Sequence, residues 1–465
     1  MVDRNDVDMK LAKYIAETDY DDIPGNVADV TKRSFLDGLG TMLAATGLGE
    51  GCKEFANLAI EGGGKPESTI LGFNTKVPVY MAAYANGSLS HAMDYENTGP
   101  SGHPNADAID SGLAIAESIG NVSGKEFIAA VTLGCDTVCR LALASQREGG
   151  TPETSGWYPP SIYGTFGAAA ASAKLLKLSP DQILDAFSLA MCQSTCSAEL
   201  IFSPNSIVRA VRDAFAAKAG VLSALLARRG IKGFDHPIGG KAGFYTMYSQ
   251  GNFNPDILTK DLGKVFESAN VSFKPWPSCA GTHPYAAAAL QIAENYDLKP
   301  ADIDEIKFIL NTPNTMLCEP IKSKRKPSTA IDAKFSIPFV IATALVHKKI
   351  TLGHFLPQAL ADQDVLKVAQ KITYEIDLKS ESRQGAVSES LIQIKTKNGQ
   401  INSKRIDFIY GYPQNPISQE ALIAKFKDCA SYAAKKISKK NLDKIVEMIL
   451  HLEDVKNINQ IIEYL

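Results

Sequence analysis

The segment SHAMDYENTGPSGHPNADA, residues 90–108, contains two histidines and three acids among glycine and proline residues. Upstream of it, apolar residues recur at helical spacing from Met81 to Met93, so we expect a helix to end near Asp94. The negative end of a helix dipole disfavours an ionised carboxylate. Asp94 is therefore expected to have either a raised pKa, as a general acid or base requires, or a cation beside it. An ordinary turn that begins at Asp94 is the structural alternative.

His103 follows nine residues after Asp94, in a stretch where glycines and prolines prevent a continuous helix. Rigid, irregular loops of this kind often carry catalytic side chains. His103 is therefore a candidate acid–base group, with a surface or capping role as the alternative. His91 lies one helical turn before Asp94 and is expected to pack against it or support it.

A second segment, VSFKPWPSCAGTHPYAAAALQIAE (271–294), places Lys274 and Trp276 in a stiff stretch between prolines. His283 and Pro284 follow at the expected start of a helix. A lysine close to a helix N-terminus makes an anchor for a carboxylate or phosphate. The alternative is a linker in which Trp276 packs at a domain boundary.

Two further candidates lie in largely apolar surroundings. Tyr158 belongs to an aromatic turn, GWYPPSIYGTFG, ahead of a predicted helix, where simple packing is the alternative. Arg209 lies on an apolar helix, four residues before Asp213. That spacing fits a salt bridge, whereas the sharper hypothesis is a guanidinium that binds a substrate carboxylate.

The composition is that of a globular protein without a strong charge bias. The chain has 465 residues, of which 45% are hydrophobic, and its formal net charge is −3, which argues against a nucleic-acid partner. The N-terminal residues resemble neither a signal peptide nor a membrane span, so we expect a cytoplasmic protein without a membrane partner. The eight cysteines are spread over a long chain, which suits reduced thiols better than a disulfide framework. They form no CxxC pair, which disfavours a structural metal site and an iron–sulfur cluster.

Hydrophobic periodicity divides the chain into helical and strand-like regions. Helical patterns run from residue 5 to about 268 and return from about 412, while strand-like alternation appears at 303–310, 371–377 and 390–407. Asn398-Gly399 within the last of these predicts a hairpin turn. The prediction is a mostly α protein with a smaller α+β domain: a helical domain of residues 1–268 plus 412–465 and an inserted α+β lid domain of residues 269–411.

Five motifs in order resemble the MmgE/PrpD family over about residues 8–440: NGSLSHAMDYENT…GHP, GWYPPSIYGTFGAAAA, GGKAGFYTMYSQG, WPSCAGTHP and DAKFSIPFVIATALV. The resemblance implies a homodimer with a site in the cleft between a helical domain and a lid. It also implies chemistry without cofactor or metal on a small di- or tricarboxylate. Family reactions of this kind are 2-methylcitrate dehydration, cis-aconitate decarboxylation and iminodisuccinate epimerisation.

By the same resemblance, Asp94, Thr98, His103 and Lys274 fall on family active-site positions. Two positions depart from the pattern. Tyr158 stands where aconitate decarboxylases carry a catalytic histidine, and a phenol moves protons poorly at neutral pH. Arg209 stands where many members have a lysine, which keeps the charge but changes the geometry.

The sequence therefore predicts a carbon–oxygen lyase that dehydrates a 2-methylcitrate-like hydroxy acid. His103, Asp94 and Lys274 are the predicted catalytic residues. The predicted substrate-binding residues are Thr98, Tyr158, Arg209 and His283. The alternatives are an epimerase acting next to a carboxylate, a cis-aconitate decarboxylase, and a non-catalytic protein that binds a metabolite.

Overall fold

A computed structural model describes residues 6–100, 102–145, 155–203, 205–377 and 390–465. The first group of helices is α1 (Val7–Glu17), α2 (Gly25–Leu48), α3 (Cys52–Glu61), α4 (Val79–Ser90), α5 (Ala106–Ile119), α6 (Gly124–Ala144), α7 (Pro159–Leu175), α8 (Pro180–Met191), α9 (Glu199–Phe202), α10 (Val208–Val211), α11 (Asp213–Arg228), α12 (Phe244–Ser249) and α13 (Pro255–Thr259). A short antiparallel pair, β1 (Ser68–Ile70) and β2 (Thr75–Val77), precedes α4.

The second half of the chain mixes helices with a four-stranded sheet. Its helices are α14 (His283–Asn295), α15 (Ile321–Arg325), α16 (Ala330–Lys334), α17 (Ile337–His347), α18 (Gln363–Gln370), α19 (Gln419–Ser431), α20 (Lys439–Leu450) and α21 (Asn459–Ile462). Its strands are β3 (Ile303–Asn311), β4 (Ile372–Asp377), β5 (Ser390–Thr396) and β6 (Ile401–Ile406). Short 3₁₀ helices join these elements at Tyr20–Asp22, Glu267–Asn270, Ala280–Thr282, Pro300–Asp302, Thr312–Leu317, Leu352–Phe355, Ala359–Ala361 and Leu452–Asp454.

The helical body is built around small residues that let helices approach closely. At Gly220 on α11, a Cβ atom would lie 2.4 Å from the Cβ of Ala168 on α7, so only glycine fits. Helix α6 is long and apolar enough to span a membrane by length and composition, but 89% of its most apolar window is buried inside the protein. It therefore serves as a core helix, packed against α7.

The sheet has the strand order β4-β3-β5-β6. Strand β3 pairs parallel with β4 and antiparallel with β5, and β5 and β6 form a hairpin whose turn contains Gly399 at a φ of +87°. Helix α14 packs on β5 and β6, and α17 packs on α14. The fold class predicted from the sequence, mostly helical with a smaller α+β part, is confirmed.

The C-terminal helices return to the helical body, where α19 and α20 pack on α2. Residues from both ends of the chain thus share one helical unit, while the limits predicted at 268/269 and 411/412 stay predictions. The expectation that the first site helix ends near Asp94 was wrong by one turn. Helix α4 ends at Ser90, and the Asp94 amide closes a turn by donating to the His91 carbonyl at 2.8 Å.

Candidate active site

Asp94 lies at the centre of the candidate site, in the turn that follows α4. Its φ of +45° is in the left-handed region, which an aspartate adopts more readily than most residues. The residue is fully buried. A buried carboxylate held in a strained turn needs strong partners, and the neighbouring side chains supply them.

Lys274 is the cation beside Asp94. Its Nζ lies 2.5 Å from Asp94 Oδ1 and also donates to the Asp94 carbonyl at 2.9 Å. Burial by itself raises the pKa of the Asp94 carboxyl, but Lys274 and two nearby imidazoles outweigh burial, and the net pKa lies below the ordinary value. The sequence predicted either a cation beside Asp94 or a raised pKa. The cation is confirmed, and a raised pKa is wrong, because the pKa of Asp94 is lowered.

Glu96 joins two imidazoles to this pair. The Nδ1 atoms of His91 and His103 lie 2.5 and 2.7 Å from the same oxygen, Glu96 Oε1. Because that carboxylate accepts at Nδ1 of each ring, both Nε2 atoms face Asp94 Oδ1, each at 3.7 Å. Burial raises the pKa of Glu96, but the two histidines hold it well below its usual range.

The two histidines differ in exposure and therefore in their suitability for proton transfer. His91 is fully buried, and its burial, reinforced by the charge of Arg212, lowers its pKa to about 4. The His103 side chain is 12% exposed. His103 is thus the more accessible imidazole of the two, while His91 holds Glu96 from the protein interior.

Thr98 closes the loop that presents His103. Its hydroxyl donates to the Gly102 carbonyl at 2.5 Å, and its backbone pairs with Ser272, two residues before Lys274. The hydroxyl is engaged by the loop itself. In this arrangement Thr98 fixes the distance between the His103 loop and the Lys274 segment.

Arg209 and Tyr158 form a neighbouring group. The Arg209 guanidinium lies 3.5 Å from the Phe335 ring centroid and 6.0 Å from that of Tyr158. The Arg209–Asp213 salt bridge, which was the alternative to a substrate-binding role, does not form: Asp213 instead pairs with Arg212, 3.3 Å from its Nε. Arg209 instead contacts the ring of Phe335, which directly follows α16. Its guanidinium is therefore not paired with Asp213.

This second group faces the same junction as the Asp94 cluster. Burial raises the pKa of the Cys279 thiol, which also feels the charges of Asp94, Lys274 and Arg209. Arg212 acts electrostatically on both His91 and Glu96, and it lies 5.1 Å from the Tyr158 ring centroid. The structure thus brings five of the predicted residues into one region: Asp94, His103, Lys274, Arg209 and Tyr158.

His283 lies at the start of α14 but differs from the role expected of it. It is fully buried, its Nε2 donates to the Ser278 carbonyl at 3.1 Å, and it packs edge-on against Trp276. Burial, with a further contribution from Lys274, lowers its pKa to about 3. His283 is therefore neutral, and a hydrogen bond rather than a charge is what it can offer a ligand.

The cluster is compact enough to be compared with a metal site. His91, Asp94, Glu96 and His103 each offer a ligand atom within 4.8 Å of the others. However, the Lys274 ammonium is already 2.5 Å from Asp94 Oδ1, and Glu96 Oε1 already accepts from both rings. Protein donors therefore occupy the positions that a cation would need.

A second set of buried acids lies behind the site. Burial raises the pKa of Asp107 and of Asp110 well above the ordinary aspartate value, and repulsion from Asp213 adds to both. Asp110 accepts from Ser90 at 2.7 Å and from Ser111 at 3.1 Å. These acids keep their protons at pH values where exposed aspartates are ionised.

Asp110→Asn is expected to stabilise the protein at alkaline pH. Because the folded pKa of Asp110 is above its unfolded value, its contribution to stability is full at acid pH and is lost as pH rises through the folded pKa. Asparagine keeps the shape without this loss, so we expect a gain of about 1–3 kcal/mol at pH 8 and much less at pH 4. Urea unfolding at both pH values measures this, with exposed Asp304→Asn as the control. An equal change at both pH values would contradict the prediction.

Sequence reasoning missed Glu96 and two buried lysines, Lys334 and Lys425. Glu96 was visible as the second acid of the opening segment, two residues after Asp94, but nothing in its spacing showed that it binds both histidines. The lysines lie far along the chain, on α16 and α19. Burial lowers the pKa of Lys334 to about 8.

A mostly helical body, a mixed-sheet unit and a buried acid–base cluster beside cations at their junction define an enzyme. Models of the MmgE/PrpD N-terminal domain and the MmgE/PrpD C-terminal domain match residues 9–256 and 276–451. The chain belongs to the MmgE/PrpD family, as its motifs predicted.

Similar proteins of known name cover nearly the whole chain. A cis-aconitate decarboxylase-like protein, oryM, of Aspergillus oryzae is 28% identical over 98% of this chain and 96% of its own length. The cis-aconitate decarboxylase of Homo sapiens is 26% identical over 84% of this chain and 80% of its own. That of Aspergillus terreus is 23% identical over 99% and 96%.

Proposed function

We propose that this protein is a lyase that removes water from a small hydroxy polycarboxylate of the 2-methylcitrate type. The observation that carries the proposal is the His103–Glu96–Asp94 cluster beside a buried arginine without an acidic partner. Arg209 is 8% exposed, and among the described residues no carboxylate pairs with it. A buried, unpaired guanidinium favours an anionic ligand.

The residues suggest a division of roles in the elimination. His103 Nε2 takes the proton from the carbon next to a carboxylate, while Glu96 holds the ring through Nδ1. The C–H electron pair forms the new double bond as the C–O bond breaks. The Tyr158 hydroxyl donates a hydrogen bond to the departing hydroxide, and solvent water supplies the proton that converts this hydroxide into water. Arg209 and Lys274 stabilise the negative charge that develops on the substrate. His103 then releases its extra proton to solvent and returns to its starting protonation state.

The named relatives favour a second candidate, the decarboxylation of cis-aconitate. In that reaction carbon dioxide leaves and a proton is delivered to the carbon. The tyrosine at position 158 argues for dehydration, since a phenol serves as a hydrogen-bond donor to a leaving hydroxyl better than as a neutral-pH proton shuttle.

Incubation with a panel of citrates and aconitates in D2O, followed by NMR, separates the candidates. Dehydration predicts an unsaturated product from 2-methylcitrate, and decarboxylation predicts carbon dioxide from cis-aconitate. Deuterium entering a substrate without net elimination would indicate an epimerase. Binding that raises the melting temperature without any exchange or turnover would leave a non-catalytic metabolite-binding protein and overturn the proposal.

Arg209→Leu is expected to weaken binding of the active polycarboxylate by about 10- to 100-fold, since a charge-assisted hydrogen bond is lost. Arg209→Lys keeps the charge but cannot form a bidentate contact with a carboxylate. We expect its affinity to lie between those of Arg209→Leu and the wild type. Isothermal titration calorimetry measures both. Arg229→Leu, on an exposed arginine at the end of α11, is the control, and equal losses for Arg209→Leu and Arg229→Leu would contradict the role of Arg209.

We also propose that the protein is a homodimer and that it is cytoplasmic. An exposed aromatic cluster supports the dimer: Phe215, 52% exposed, packs with Phe55 and Tyr84 at centroid distances of 5.9 and 5.8 Å, and Leu58 on α3 is 55% exposed. Light scattering of the wild type and of Phe215→Glu tests this. A monomeric wild type would overturn the proposed dimer.

A further inference from the structure

Four consecutive backbone carbonyls around Asp94 accept hydrogen bonds from buried lysines. Lys334 Nζ donates to Ala92 O at 3.3 Å and to Met93 O at 2.8 Å. Lys274 donates to Asp94 O at 2.9 Å, and Lys425 donates to Tyr95 O at 2.6 Å. The backbone of residues 92–95 is thus held by three ammonium groups rather than by secondary structure.

These lysines come from different parts of the fold. Lys274 and Lys334 both lie in the predicted lid, Lys334 at the end of α16, and Lys425 lies on α19 of the helical body. Two of them have acidic partners: Lys274 pairs with Asp94, and Lys425 pairs with Asp37 at 2.6 Å.

Lys334 differs from the other two. Its side chain is buried, yet within the part of the chain that the structure describes its ammonium has no carboxylate within salt-bridge distance, and its hydrogen bonds go to the carbonyls of residues 92 and 93. Burying an ammonium without a counter-ion is costly. An apolar side chain could fill the same space without this free-energy cost. Packing alone therefore does not explain a lysine at position 334.

The surroundings of the Asp94 turn explain what this lysine contributes. Ala92, Met93 and Lys334 line a cavity of about 700 Å³, so close packing does not immobilise the turn on that side. The next residue, Asp94, has a positive φ, and Glu96 follows two residues later. Backbone strain of this kind persists only where the neighbouring structure enforces it.

We propose that Lys334 is a positioning residue, which fixes residues 92–95 from the lid side so that Asp94 and Glu96 meet the two histidines. It acts through the backbone and does not touch the substrate. Its effect on turnover rests on the proposed function, whereas its effect on the loop does not. The two effects therefore need separate measurements.

The first measurement is amide hydrogen exchange in Lys334→Met. The amides of Asp94, Tyr95 and Thr98 are bonded to His91 O, Glu96 Oε2 and Ser272 O, so they report directly on the loop. We expect their exchange to accelerate at least about tenfold while the rest of the helical body changes little. Lys32→Met is the matched control, because Lys32 on α2 is also buried, but its carboxylate partners Asp29 and Glu453 are 68% and 29% exposed, so its loss leaves no buried unpaired charge.

The second measurement is turnover of whichever polycarboxylate the D2O panel identifies. Lys334→Met is expected to lower kcat at least about tenfold with KM nearly unchanged, and Lys32→Met is expected to leave kcat within about twofold. Exchange that rises uniformly, or equally in the two variants, would overturn the proposal. If no polycarboxylate reacts, the proposed function fails, while the exchange experiment still decides the role of Lys334.

Lys334→Arg keeps the test decisive if Lys334→Met does not fold. Arginine retains a charge and hydrogen-bond donors but places them differently. We expect a smaller, still local, acceleration of exchange at residues 94–98. Normal exchange there, together with a tenfold loss of kcat, would overturn a role that acts through the loop.

Discussion

Replacing His103 by glutamine should lower the rate of proton exchange into the reactive polycarboxylate by at least about 100-fold. His103 is the imidazole of the cluster that solvent and substrate can reach, and general acid–base catalysis contributes about 10²–10⁴-fold. Glutamine is close to histidine in size and can keep a hydrogen bond to Glu96, but it takes up no proton at neutral pH. The rate of deuterium incorporation measured by NMR gives the effect.

A histidine outside the site provides the control for this substitution. His451 is exposed, at the end of α20, and His451→Gln should leave exchange within about twofold of the wild type. Circular dichroism should show the same helical content in both variants. Retained activity in His103→Gln would move the acid–base role to another group of the site.

Lys274→Met should destabilise the protein by about 3–5 kcal/mol at pH 7, because it leaves the buried Asp94 carboxylate without its counter-ion. The wild-type pKa of Asp94 lies below its ordinary value of 3.8. Its contribution is therefore present above about pH 4 and is lost as pH falls through the folded pKa. Without Lys274 the carboxyl tends to take up a proton instead, so the deficit of the variant should shrink at acid pH.

Two comparisons separate this effect from a general loss of a lysine. Lys307→Met removes the partner of Glu375 from an exposed pair 2.6 Å apart, and should cost less than about 1 kcal/mol. The double variant Lys274→Met with Asp94→Asn should lose less than Lys274→Met alone, since it leaves no unpaired charge. Urea unfolding measures all of them, and equal losses for Lys274→Met and Lys307→Met would contradict the prediction.

The sequence predicted the parts of this structure that depend on local pattern. Alternation predicted β3, β4 and the β5–β6 hairpin, and the family motifs pointed to Asp94, His103 and Lys274, which the structure brings together. The cation expected beside Asp94 follows from simple electrostatics, because a buried carboxylate needs one.

What the sequence did not reveal depends on long-range packing. The one-turn error at the end of α4 arose because Met93 continues the apolar spacing, although the helix has already ended at Ser90. The Arg209–Asp213 spacing fitted a salt bridge, but the Phe335 ring, more than a hundred residues away in sequence, attracts the guanidinium instead. Neither outcome follows from residues that are neighbours in the chain.

The lysines around residues 92–95 also bear on the order of folding. They lie 180, 241 and 330 residues from the carbonyls that they contact. Contacts of such long sequence separation form slowly, because a large loop must close first. Refolding chains will therefore regain helical circular dichroism before the reactive geometry, so recovered catalysis should report completed assembly of the chain rather than its secondary structure.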